Sequence, residues 1–426
     1  MVPERIQAIR GMNDVLPGDT SFWRYVEGVF QECMSRYGYQ EIRFPLIEST
    51  QLFKRTIGEV TDIVEKEMYT FDDLNGESIT LRPEGTAGCV RACIENGLLY
   101  NQQPKLWYMG PMFRHEKPQK GRYRQFNQFG VEAFGVAGPF IELELIAISY
   151  RLWSQLGFSD SVRLEINSLG ELTERNQYKK ILVEYLNEHF DELDAESQKR
   201  LDKNPLRILD SKNPEMQQLI NNAPKLMDCL DENSRHHFET FCDGLDALSI
   251  PYTVNPKLVR GLDYYGHTVF EWVTDQLGSQ ATICAGGRYD KLVEQLGGSA
   301  TPAVGFALGM ERILLLMETL GLLPLTQQNN SVFIISTTDT GMKVSMALAE
   351  SIRSTHPTLD VFVNTAGGSF KSQFKRADKS GARLALILGE DEVSSKKVSI
   401  KDLRSDIEQR AVEQSEINQI LVDYLA

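Results

Sequence analysis

Two short runs rich in aromatic and apolar residues, Leu106-Trp107-Tyr108-Met109 and Phe126-Asn127-Gln128-Phe129-Gly130-Val131-Glu132, flank a segment from Arg114 to Arg124 that holds five fixed positive charges and one carboxylate. Such runs favour extended backbone, so the pair predicts a long hairpin with a basic tip. In a chain whose formal net charge is -14, that concentration of cations needs a polyanion nearby. The hairpin commits this part of the chain to a sheet and puts a phosphate-handling loop at its end. On the return strand Gln128 and Glu132 lie four apart, hence on one face, and Arg124 and Phe126 share that parity.

At 426 residues the length suits about three domains of ordinary size. Nothing near the N-terminus pairs a basic start with an apolar run, and the most apolar stretch, Ile313 to Leu325, is interrupted by Glu318 and Pro324. The expectation is a cytoplasmic protein without signal peptide or membrane segment. Six cysteines, at positions 33, 89, 93, 229, 242 and 284, follow no disulfide-framework spacing and read as reduced thiols. Cys89 and Cys93 could share a helical face and chelate a metal. No second Cys or His pair sits at a suitable spacing, so they read as buried small hydrophobes, and no metal is assigned to protein side chains.

Apolar spacing over residues 21 to 37 predicts a helix that turns at Tyr37-Gly38-Tyr39 into a strand from Glu41 to Pro45. A short strand from Ile79, a helix from Glu84 to Asn96, the hairpin, a helix from Pro139 to Leu156 and a strand from Val162 to Ile166 follow. From about residue 170 the texture becomes charged, Leu-punctuated and helical, broken at Asn204-Pro205 and Asn213-Pro214, which marks an insertion over about 170–255. Strands at Thr268 to Trp272, Ala281 to Ala285 and Ala303 to Ala307, then a helix from Met310 to Leu320, complete a mainly antiparallel sheet. A linker over 321–330 separates this unit, 1–325, from a small α/β unit, 326–426, with a largely parallel or mixed sheet. From residue 331 onward acidic and basic residues nearly balance, so the C-terminal unit repels a polyanion far less than the rest.

Four further segments gather chemistry. Leu258-Val259-Arg260-Gly261-Leu262-Asp263-Tyr264-Tyr265 enters a strand, and Ala285-Gly286-Gly287-Arg288-Tyr289-Asp290 carries two glycines suited to close approach of a ligand or to a tight turn. Gly309-Met310-Glu311-Arg312 starts a helix with an arginine in its first turn, where the helix dipole disfavours a cation. In the C-terminal unit Lys371, Lys375, Arg376 and Lys379 fall at helical spacing on one face. Phe44-Pro45, Phe113-Arg114-His115-Glu116 and Gly309-Met310-Glu311-Arg312 resemble motifs 1, 2 and 3 of the class II aminoacyl-tRNA synthetases. The Arg260 and Arg288 segments are similar to the two signature peptides of the histidyl-tRNA synthetase family. The likeness covers essentially the whole chain, including Gly367 to Lys371 and Arg376 to Ala382.

The resemblance implies an α+β fold: an antiparallel-sheet class II synthetase catalytic domain with a helical insertion, plus a C-terminal α/β anticodon-binding domain. It implies activation of L-histidine by ATP, carried with Mg²⁺, to histidyl-adenylate, followed by transfer to the 3′ end of tRNA(His). It also implies a homodimer through motif 1. Arg114 and Arg260 would bracket the α-phosphate as the catalytic pair and also meet the amino acid. Glu116, Arg122, Phe126 and Arg312 would join Arg114 in holding ATP. Glu84, Thr86 and Gln128 would take the ammonium and backbone of histidine, and Glu132, Tyr264 and Tyr265 its ring. Gln119, Lys120 and Arg124 would touch the acceptor end of the tRNA, with Lys371 and Lys375 on the anticodon side. The transfer step shows no evident base. The competing expectation is the synthetase-like regulatory subunit of ATP phosphoribosyltransferase, which typically lacks the anticodon domain and departs from the arginine signature.

Overall fold

The runs on either side of the basic segment form the antiparallel strands Lys105–Phe113 and Gln125–Phe134, with Lys105 opposite Ala133 and Phe113 opposite Gln125. The computed structural model describes residues 5–57, 61, 63–209, 211, 213–259, 264–278, 282–324 and 331–425. They fall into two compact units, Met1–Leu323 and Pro324–Ala426.

In the first unit the hairpin is the middle of an eight-stranded sheet in the order Gln40–Glu41, Lys105–Phe113, Gln125–Phe134, Ala303–Gly309, Thr282–Arg288, Gly266–Val273, Arg163–Ser168, Tyr252–Val254. Only the two outermost pairings described are parallel. The strand expected from Glu41 to Pro45 is confined to Gln40–Glu41. Ile42 still donates its N–H to Trp107 O at 2.8 Å, but Pro45 has no N–H with which to extend the ladder. A separate three-stranded sheet, Ile47–Ser49, Ser78–Leu81 and Tyr69–Asp72, lies outside the large one.

Alternation along the strands sorts side chains into two cores. Trp107, Phe129, Val131, Trp272 and Phe306 pack with Val26, Phe30, Ile148, Trp153 and Ile313 from the helices Thr20–Arg36, Phe140–Leu156 and Met310–Thr319. Trp272 donates its indole N–H to Ser149 Oγ at 2.9 Å, so its burial leaves no polar atom stranded. Leu106 and Tyr108 belong to the second core, with Tyr264, Tyr265 and Tyr289 and with Cys89, Val90 and Cys93 of the helix Thr86–Glu95. Both of those thiols are fully buried.

The charged stretch after residue 170 is helical from Leu172–Glu188 through Glu232–Ala247 and has its own core of Tyr178, Leu182, Leu186, Leu201, Leu219 and Leu226. Asp194 and Asp231 cap helix N-termini by accepting from Ser197 N and Ser234 N, and Pro205 and Pro214 open short 3₁₀ turns. The end of that stretch, Tyr252–Val254, is an edge strand of the large sheet.

The second unit is a mixed five-stranded sheet: Asp360–Val363, Ser331–Ser336 and Leu384–Leu388 run parallel, and Lys397–Asp402 and Arg410–Glu413 continue antiparallel. The helices Asp339–Thr355 and Phe370–Lys379 link its parallel strands, capped by Thr338 and Ser369. No described helix is long and apolar enough to cross a membrane.

Candidate active site

A cavity of about 320 Å³ opens on the sheet face that carries the second core. Its walls come from the hairpin, the N-terminus of the helix Thr86–Glu95, the Tyr264-Tyr265 segment and the strands Thr282–Arg288 and Ala303–Gly309. Arg114, Glu116, Arg122, Phe126 and Arg312 line one part, and Glu84, Thr86, Gln128, Tyr264 and Tyr265 also line it. Residues far apart in the chain thus meet in one cleft.

The arginine part is electrostatically strained. Arg312 donates to the carbonyls of Thr282 at 2.5 Å and Gly121 at 3.4 Å, and burial together with the charges of Arg122 and Arg114 pushes it down to about 10. Burial likewise lowers Arg122, with Arg114 adding to the effect. A buried guanidinium depressed by two neighbouring cations suits an arriving anion. Arg114 donates from Nε to Pro83 O at 2.8 Å, and its guanidinium stands 5.3 Å from the centroid of the Phe126 ring. Glu116 and Arg122 form an ion pair with each other in this structure.

The other part of the cavity is built from carboxylates and hydroxyls. Glu84 sits just before the helix Thr86–Glu95 and accepts the N–H groups of Thr86 at 2.7 Å and Ala87 at 2.9 Å. It caps the otherwise unpaired helix amides. Burial still raises its carboxyl, against the pull of those amides and of Arg114. Gln128 Oε1 accepts the Gly85 N–H at 2.9 Å, which leaves its amide group as a donor. Tyr264, Tyr265 and Tyr289 form an aromatic trio with ring centroids 4.7 to 6.2 Å apart.

Glu132 does not line the cavity; it lies against Gly305, which does. A Cβ on Gly305 would come within 1.8 Å of its carboxyl oxygen, so the glycine is what lets that group approach the surface of the cleft. Glu132 accepts from Thr86 Oγ1 at 2.8 Å, from Tyr108 at 3.1 Å and from Tyr289. Burial pushes it up to about 8 despite these three donors.

Other expected residues fall elsewhere. Arg124 is half-buried at the root of the tip: its N–H goes to Gly11 O at 2.7 Å and its Nε to Glu116 O at 3.1 Å. Gln119 and Arg122 close the tip by exchanging backbone bonds, and Lys120 is exposed, 3.4 Å from Glu318. Lys371 and Lys375 are exposed on the helix Phe370–Lys379, whereas Arg376 turns back to Gly367 O and Ser372. Arg260, with 261–263, lies outside the described residues.

The glycines of the Arg288 segment permit close packing between strands and, at Gly287, against the Tyr265 ring. A Cβ on Gly286 would meet Gly305 O at 2.3 Å and Phe306 Cβ at 2.7 Å, and neither Gly286 nor Gly287 lines the cavity. Sequence reasoning missed Tyr108 and Tyr289 as donors to Glu132 and Gly305 as its gap. It also missed Glu311, which accepts from Asn127 N at 2.8 Å and binds the helix Met310–Thr319 to the hairpin. A glycine inside a strand pattern is the signal that could have found Gly305.

An antiparallel sheet bearing a cleft walled by an arginine-tipped hairpin and by an arginine at a helix start is the catalytic architecture of a class II aminoacyl-tRNA synthetase. The histidyl-tRNA synthetase family model matches residues 11–313, and the anticodon binding domain model matches residues 328–424. A histidine–tRNA ligase of Legionella pneumophila (strain Philadelphia 1) is 71% identical over 426 residues, all of both chains, and that of strain Paris is 70% identical over the same span. The crystal structure of apo S. aureus histidyl-tRNA synthetase superposes with a TM-score of 0.82 at 37% identity, covering 98% of this chain and 100% of that one. The chain belongs to the histidyl-tRNA synthetase family. It is an aminoacyl-tRNA synthetase, a ligase that uses ATP.

Proposed function

We propose that the cavity carries out histidine–tRNA ligation with a division of labour between its two parts. The observation that carries this reading is the meeting, in one cleft, of the mutually repelling Arg114, Arg122 and Arg312 with the hydrogen-bonding set Glu84, Thr86, Gln128, Tyr264 and Tyr265. In the first step a carboxylate oxygen of L-histidine attacks the α-phosphorus of ATP, the bond to the β-phosphate oxygen breaks, and pyrophosphate leaves. Two anions meet in that transition state, so fixed cations lower the barrier. Arg114 takes the α-phosphate from one side; Arg260, on the family resemblance alone, takes the other.

Adenine lies between Phe126 and Arg312, which requires Arg114 to exchange the ring face for the phosphate. The Glu116–Arg122 pair opens as the nucleotide arrives: Glu116 accepts from the adenine amino group and Arg122 takes the outer phosphates. Glu84 and the Thr86 oxygen accept the ammonium. Gln128, whose oxygen already serves Gly85, is suited to donate to the histidine carboxylate. Glu132, presented through the gap at Gly305, and Tyr265 read the two ring nitrogens, with Tyr264 beside them. A site that demands both hydrogen bonds rejects apolar side chains of similar size by a large factor.

In the second step a hydroxyl of the terminal ribose attacks the histidyl carbonyl and AMP leaves. Gln119 and Lys120 meet the acceptor end, Lys371 and Lys375 the anticodon side, and Arg124 serves to hold the tip in place. Mg²⁺ enters on the ATP phosphates: no group of three or more His, Cys, Asp or Glu suited to a metal exists among the described residues, and no step is assigned to it. The protein acts as a cytoplasmic homodimer through the Phe44-Pro45 region. Exchange of pyrophosphate into ATP, run with each of the twenty amino acids, tests the reading. Histidine alone should support exchange; exchange with another amino acid, or with none, would overturn the division of labour proposed for the cavity.

A further inference from the structure

We infer that Arg175, on the first helix of the insertion, is a positioning residue for histidine: it holds Tyr265 in place from behind, so that the insertion sets histidine affinity without touching substrate. The inference rests on the assignment of Tyr264 and Tyr265 to the histidine pocket.

Arg175 donates from Nη1 to the carbonyl of Tyr265, across 90 residues of chain. A guanidinium bond to a half-buried carbonyl is charge-assisted and stronger than a neutral one. Tyr265 itself is only 6% exposed, lines the cavity and packs on Tyr264 and Tyr289. Its main chain is therefore gripped by a residue that does not itself line the cavity.

The grip extends to the neighbouring residues. His267 donates its N–H to Gly170 O at 2.9 Å and accepts from Leu169 N at 2.7 Å, where the insertion leaves the sheet. His267 is not a glycine, yet its φ is 45°, a conformation that persists only where surrounding contacts hold it. Tyr265 and His267 are thus bonded to the insertion's root, one by a side chain and one by backbone.

Arg175 is in turn held by the insertion as a body. Its helix, Leu172–Glu188, begins with a capping box of Glu171 and Glu174. The buried Glu174 carboxylate accepts from Asp231 N at 2.6 Å and Ser234 Oγ at 2.8 Å, at the start of the helix Glu232–Ala247. Two insertion helices thus converge on one carboxylate beside Arg175. A shift of the insertion is transmitted to Tyr265 through a chain of hydrogen bonds that runs from the Glu232–Ala247 helix through Glu174 and Arg175.

Histidine-dependent pyrophosphate exchange tests this with the full chain. Arg175→Ala should raise the KM for histidine about tenfold while the KM for ATP and kcat stay within about twofold. Arg175→Lys, which restores one cationic donor, should recover most of the loss. A residue that merely fastened the insertion would lower thermal stability and affect both substrates alike. If Arg175→Ala does not fold by circular dichroism, Arg175→Gln takes its place with the same split expected, and Arg175→Lys remains the rescue. Unchanged or parallel effects on both substrates in every folded variant would overturn the inference. Tyr265→Ala separates it from the pocket assignment: an unchanged histidine KM there sinks the assignment, whereas a raised one beside an inert Arg175→Ala sinks the inference alone.

Discussion

Arg288 and Arg312 are both largely withdrawn from water, yet they occupy opposite electrostatic settings. Arg288 is 1% exposed and uses all five of its N–H groups: two on Glu142, at 2.9 and 2.6 Å, and the others on Asp290, Val136 O and Gly138 O. Burial would raise Glu142, but its bonds to Arg288 and His237 hold it at about 2, and Glu142 in turn raises Arg288 against burial. Arg312 donates to backbone carbonyls, and burial with two neighbouring cations outweighs the Glu271 carboxylate and pushes it down to about 10. A guanidinium whose field is already answered within the protein holds the fold. One crowded by like charges stores an attraction for a ligand.

This contrast can be broken at either end. The largest effect belongs to the answered pair: Glu142→Leu leaves Arg288 buried without its carboxylate and should cost about 3–5 kcal/mol in urea unfolding. A loss near zero would mean that the pair is replaceable. Arg114→Ala should do the reverse, lowering pyrophosphate exchange by about 10²–10³-fold with the unfolding midpoint unchanged. An equal fall in stability would put Arg114 on the side of Arg288.

The smallest effect concerns pH and sharpens the contrast between two buried carboxylates. Glu132 is raised from 4.5 to about 8, so the folded state holds a proton that the unfolded state has lost across that interval. Its contribution is fully present below about 4.5 and is lost as pH rises through about 8. Glu142 has the opposite sign: its contribution is present above about 4.5 and is lost as pH falls through about 2. Glu132→Gln should therefore flatten the decline of unfolding free energy between about pH 5 and 8 and leave the acid limb alone. An unchanged slope would show that Glu132 is ionised in the folded state throughout.

Much of the site was legible because its residues sit at marked places in local patterns: Arg114 at the foot of a basic hairpin, Gln128 on the return strand, Arg312 in a first helical turn. What Gly286 faces was not legible, because Gly305 and Phe306 lie on the neighbouring strand, a contact with no local signature. Likewise Arg122 and Glu116 each suit ATP by type, and only the folded tip shows them paired. The strand Arg410–Glu413 escaped notice because an exposed edge strand needs no alternation of apolar residues.

Local pattern, which depends on neighbours along the chain, was enough to place the strands of the hairpin, the helical insertion and the family motifs, while most of the expected linker, 325–330, lies outside the described residues. The burial of Glu132 under three hydroxyls and the support of Tyr265 by Arg175 were decided by tertiary structure alone. Thr86, Tyr108 and Tyr289 come from a helix start, a strand and a strand end, and Arg175 lies 90 residues from its partner. Hydrogen bonds act over about 3 Å whatever the separation in sequence, so only a packed fold determines which distant partners a buried polar group receives.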